Sequence, residues 1–130
     1  MRTSLVVLLL VLTLALFGLA ACGGAAATSV PSGGAGDAVA GEALFKATCA
    51  GCHSVEAGVI LTGPSLAGIG TTAGTVVSGT SAEQFLRQSI VDPNANVTSG
   101  FSPDIMPGNF STRLTSQQID DLVAYLLTLK

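Results

Sequence analysis

Cys49-Ala50-Gly51-Cys52-His53 is the densest run of reactive side chains in the sequence. Its two thiols stand three positions apart, the spacing needed to add across the two vinyl groups of one haem, and the histidine that follows is placed to ligate the iron. Two other chemistries use similar residues. A dithiol that cycles through a disulfide wants an alternating strand and helix context, which the flanking sequence does not offer. A structural zinc site needs four ligands, and one Cys-Cys-His set falls short. Attachment of one covalent haem c is therefore the chemistry to which these five residues point.

Counting the remaining donors narrows the iron's second axial ligand. His53 is the only histidine, so two histidines from this chain are excluded. Of the two methionines one is the initiator, which leaves Met106, 53 residues after His53 and directly before Pro107. A lone methionine ordinarily fills a core gap. Here the proline stiffens the segment, no helical face claims the side chain, and a thioether is a soft donor suited to haem iron. Met106 is the expected ligand, with Lys46, Lys130 or an open position as alternatives. Arg87 and Arg113 are candidates for the haem propionates, with no motif to support either. No catalytic residue is expected.

The third cysteine belongs to a different region. Residues 1–21 have the layout of a secretory signal: Arg2, an apolar run from Leu5 to Leu19, then small residues. Leu19-Ala20-Ala21-Cys22 resembles the lipobox of bacterial lipoproteins, in which the cysteine is lipidated and becomes the new N-terminus. That resemblance implies a lipid anchor on Cys22 at the outer face of a bacterial cytoplasmic membrane, in the periplasm. A plain cut near Ala27 and an uncleaved apolar helix are the competing readings. One lipidated and two haem-bonded cysteines would leave no odd thiol in an exported chain. Residues 22–36 are small and Gly-rich, with no periodic apolar face, and read as a flexible tether.

The rest, 37–130, has room for one domain. Aromatic residues make up only 5% of the chain and there is no Trp. Such a domain buries a thin core from side chains alone, so a large cofactor would complete it. Five basic residues include Arg2 of the leader, which leaves four against eight acidic ones in the remainder. That balance excludes nucleic acid as a partner, as well as polybasic attachment to anionic lipid.

The fold these residues predict is all-α. A short helix around Gly41 to Lys46, with Leu44 and Phe45 inward, runs straight into the cysteines. Residues 54–80 hold six glycines without a helical period and read as one long loop. Ser81 and Gln84 form a capping box that opens a helix to about Val91, stopping before Asp92-Pro93, with Phe85, Leu86 and Ile90 inward. Asn94 to Arg113 reads as irregular. Thr115 and Gln118 repeat the capping box and start a helix to about Leu129, whose apolar stripe is Ile119, Leu122, Val123, Leu126 and Leu127.

Taken together, residues 37–130 resemble the class I cytochromes c. The likeness rests on the Cys49 to His53 motif, the first helix with Gly41 and Phe45, Gly63-Pro64-Ser65-Leu66, Met106-Pro107, and the closing helix with Tyr125. It implies that the first and last helices cross at Gly41, Phe45 and Tyr125, with long Gly-rich loops wrapping the haem. It also implies that the Pro64 carbonyl accepts the Nδ1–H of His53, fixing the tautomer and strengthening the imidazole as a donor. Ile90-Val91-Asp92-Pro93-Asn94 and Leu122-Val123-Ala124-Tyr125-Leu126 are similar to cytochrome domains fused to haem-copper oxidase subunits. The implied role is a membrane-tethered single-electron carrier in a respiratory or photosynthetic chain, working with a quinol-oxidising complex, a terminal oxidase or a reaction centre. Unlike mitochondrial-type carriers, this chain has no lysine ring. A haem enzyme, or a redox or gas sensor with a labile sixth ligand, is the alternative.

Overall fold

Three of the five helices in the computed structural model, which describes residues 36–130, begin at a side-chain cap. In chain order the five are α1 (Ala38–Thr48), α2 (Ile69–Val76), α3 (Ala82–Val91), α4 (Phe110–Arg113) and α5 (Ser116–Thr128). The Asp37 carboxylate caps α1, accepting from the N–H groups of Val39 at 2.8 Å and Ala40 at 3.4 Å. Both expected capping boxes are complete. Gln84 N–H donates to Ser81 Oγ and Ser81 N–H to Gln84 Oε1, while Gln118 and Thr115 make the same pair ahead of α5. No strand occurs among the described residues, so the domain is all-α. Nor is any helix among them long and apolar enough to cross a membrane. The segments read as signal peptide (1–21) and tether (22–36, Gly36 apart), with Cys22, lie outside the described residues.

The core lies where α1 and α3 meet α5. Phe45 from α1, Phe85, Leu86 and Ile90 from α3, Phe110 from α4, and Ile119, Leu122, Val123 and Leu126 from α5 are all buried. Leu44 and Leu127 stand half-buried at its edge. The crossing of α1 over α5 depends on Gly41: a Cβ there would lie 1.9 Å from the Asp121 carbonyl oxygen and 2.9 Å from Tyr125 Cβ. One turn on, the Phe45 and Tyr125 rings meet with centroids 5.3 Å apart and planes at 49°. Such tilted aromatic pairs contribute about 0.5–1.5 kcal/mol beyond the area they bury. Beside them the buried Asp121 accepts the Asp37 N–H and the Gln117 side-chain N–H at Oδ1, each at 2.8 Å, tying the start of α1 to α5.

The expected loop at 54–80 is corrected by α2, which occupies Ile69–Val76 within it. Its residues are poor helix formers, with two glycines and three threonines, so propensity does not account for it. Tertiary contact does. Ala73 is fully buried, and Gly70 donates its N–H to the Leu129 carbonyl at 2.8 Å. A Cβ on Gly70 would lie 2.4 Å from the Leu127 carbonyl oxygen, so α2 packs backbone to backbone on the end of α5. The irregular stretch from Asn94 is likewise interrupted by the single turn α4, which buries Phe110.

Candidate haem site

The end of α1 carries the cysteines. Cys49 closes that helix by donating its N–H to the Phe45 carbonyl at 2.8 Å, and Ala50 donates to the same oxygen at 3.0 Å. The N–H groups of Cys52 and His53 then both return to the Cys49 carbonyl at 3.0 Å. The motif is therefore a hydrogen-bonded turn hung on a rigid helix rather than a free loop. Cys49 is half-buried against the core and Cys52 is exposed. Burial, reinforced by the neighbouring Cys52, pushes the Cys49 thiol up to about 11.

Segment 63–66 lies along the motif, held by Gly63 N–H to the Cys52 carbonyl and Leu66 N–H to the Ser54 carbonyl, both at 2.8 Å. This lacing brings the Pro64 carbonyl oxygen to 2.9 Å from His53 Nδ1. A carbonyl only accepts, so the proton belongs on Nδ1 and the lone pair on Nε2. Gly63 packs against the face of the ring: a Cβ there would approach Cε1 to 2.6 Å, Nδ1 to 2.9 Å and Nε2 to 3.0 Å. Gly63 belongs to the Gly63-Pro64-Ser65-Leu66 segment, but its contact with the imidazole has no counterpart in the local sequence. The nearest signal is its place beside the proline whose carbonyl orients the imidazole.

Met106 sits between α3 and α4, half-buried against the same core that receives Cys49 and Leu66. The other candidates of the sequence reading are engaged elsewhere. Lys46 pairs with Glu42 at 2.7 Å, and that hydrogen-bonded carboxylate holds its ammonium above the ordinary lysine range, which opposes the neutral amine a ligand must be. Lys130 donates to the Gly70 carbonyl at 3.1 Å. Arg87 is paired with Asp120 on α5, and the Arg113 guanidinium lies 5.7 Å from the Phe110 ring centroid. Among the described residues no group of three or more His, Cys, Asp or Glu could hold a metal ion without a porphyrin. A dithiol turn, an imidazole with Nε2 as its lone-pair nitrogen and a thioether on one core are a donor set that fits haem.

Comparison with known proteins agrees. Residues 38–130 match the family model described as Cytochrome c. Cytochrome c-554(547) of Halothiobacillus neapolitanus is 36% identical over 101 residues, 74% of this chain and 100% of the relative. Cytochrome c2 iso-2 of Magnetospirillum molischianum is 34% identical over 100 residues, 72% of this chain and 99% of the relative. Cytochrome c of Euglena viridis is 34% identical over 101 residues, 73% and 99% of the two chains. With a helical domain, a haem-attachment turn and relatives matched over essentially their whole length, this chain belongs to the cytochrome c family, as a carrier of electrons on one covalent haem c.

Proposed function

We propose that this cytochrome is a single-electron carrier tethered to the outer face of the bacterial cytoplasmic membrane. In this reading Cys49 and Cys52 would form the haem thioethers, His53 and Met106 would ligate the iron, and a lipid on Cys22 would hold the domain through the Gly-rich segment. It would take electrons from a quinol-oxidising complex and deliver them to a terminal oxidase or a reaction centre. The observation that carries the reading is the His53–Pro64 hydrogen bond at 2.9 Å, which presents Nε2 in the protonation state an iron ligand needs.

The bound haem supplies the one-electron couple between ferrous and ferric iron. The chain's own residues would hold the same ligands in place in both states. His53 is held by Pro64 and Gly63, the cysteines by the end of α1, and Met106 by the core, so little rearranges when an electron arrives. A thioether donor favours the ferrous form and raises the potential.

The test is access of a small ligand to the iron. The reduced protein should bind carbon monoxide slowly or not at all near neutral pH, and Met106→Ala should bind it rapidly while lowering the midpoint potential. Rapid binding by the unaltered protein, with no change in Met106→Ala, would reject Met106 as ligand and favour the enzyme or sensor reading.

A further inference from the structure

We propose that Asn94 is a positioning residue for Met106: its amide clamps Asp104 and so governs how readily the methionine leaves the iron, an inference that rests on Met106 being the axial ligand. The anchor is the end of α3. Asp92 donates its N–H to the Gln88 carbonyl at 2.8 Å, Pro93 has a fixed φ, and Ala95 donates back to the Asp92 carbonyl at 3.1 Å. Asn94 is thus held in a turn on a packed helix. From there its side chain reaches ten residues ahead with both of its polar atoms. Nδ2 donates to Asp104 Oδ1 at 2.7 Å, and Oδ1 accepts the Asp104 N–H at 3.0 Å.

What the amide holds is an unfavourable bend. Asp104 has φ 64°, the one positive φ outside glycine among the described residues. Aspartate tolerates that region better than most residues, yet still at a cost that its surroundings must offset. Met106 follows two residues later, within about 7 Å of chain, so a shift at Asp104 reaches the thioether. Among the described residues these two bonds are the only hydrogen bonds from 97–108 to any residue outside that stretch. Asn94 and Asp104 are both exposed, so the pair adds nothing to the core. Its structural consequence is the placement of the methionine segment.

The experiment uses the oxidised, haem-loaded protein with imidazole as the probe, and follows both the binding rate and the near-infrared band of the iron–thioether bond. Asn94→Ala should speed imidazole binding about threefold to tenfold, the loss expected for two solvent-exposed hydrogen bonds. It should also lower the temperature at which the near-infrared band disappears. Asp104→Asn keeps the acceptor oxygen and a residue tolerant of the bend, and should behave like the native protein. Asp104→Gly keeps the bend and the backbone N–H but lacks the acceptor, and should fall between native and Asn94→Ala. Binding at the native rate in Asn94→Ala would overturn the clamp even if overall stability fell. If that variant loads no haem, Asp104→Gly decides, and a native rate there overturns it equally. Absence of the near-infrared band from the native protein would instead reject Met106 as ligand, a different failure.

Discussion

Gly63 and His53 are in face contact, and there is no room between them for a methyl group: a Cβ on Gly63 would lie 2.6 Å from Cε1 of the imidazole. Because Pro64 follows immediately, this contact and the Nδ1 hydrogen bond at 2.9 Å restrain the ring from two directions. Gly63→Ala must therefore move the ring or the segment. Overpacking of this kind costs about 1–3 kcal/mol. If the Nδ1 bond lengthens, the imidazole becomes a weaker donor and the midpoint potential should rise. Redox titration and denaturant unfolding of the holoprotein measure the two effects, and a variant native in both would show that the contact is not restrictive.

The helix crossing makes a sharper steric demand. Since the Cβ of Gly41→Ala would sit 1.9 Å from the backbone oxygen of Asp121, α1 and α5 would have to separate. The Phe45–Tyr125 ring pair and the Asp37–Asp121 hydrogen bond would be stretched with them. A loss of about 3 kcal/mol is expected, at the upper end for overpacked sites because backbone cannot give way like a side chain. The measurement is the urea midpoint at constant slope, and an unshifted midpoint would contradict the crossing geometry.

Cys49→Ser and Cys52→Ser should each leave the domain poorly folded. The buried core named above contains only three aromatic rings, from Phe45, Phe85 and Phe110, and a covalent haem would supply much of the apolar contact so thin a core lacks. Limited proteolysis and near-UV circular dichroism should report a loosened chain. A compact, protease-resistant domain without haem would run against this expectation.

The proposed lipid on Cys22 makes a prediction of its own. Cys22→Ser should move the haem signal from the membrane fraction to the soluble fraction, or leave unprocessed precursor. Detergent-free solubility of the unaltered protein would point instead to the plain secreted reading.

Sequence alone determined the features that depend on neighbours along the chain. The Cys49 to His53 motif names its cofactor because thioether formation fixes spacing and ligation fixes the next residue. The ends of α3 and α5 were legible because a capping box is a contact among four successive residues, and their inner faces because apolar period follows helical geometry. Phe45 and Tyr125 could be paired through family resemblance, and the structure brings their rings together. Tertiary structure decided what arises between distant segments. Helix α2 forms on low-propensity sequence because Gly70 docks on the end of α5 and Ala73 is fully buried, which no local pattern announces. Gly63 on the face of His53, Asp121 joining α5 to the first residue before α1, and Asn94 gripping Asp104 are likewise invisible to periodicity. Each is a glycine or a polar residue whose role is set by a partner ten or more positions away, and only chain closure brings that partner within reach.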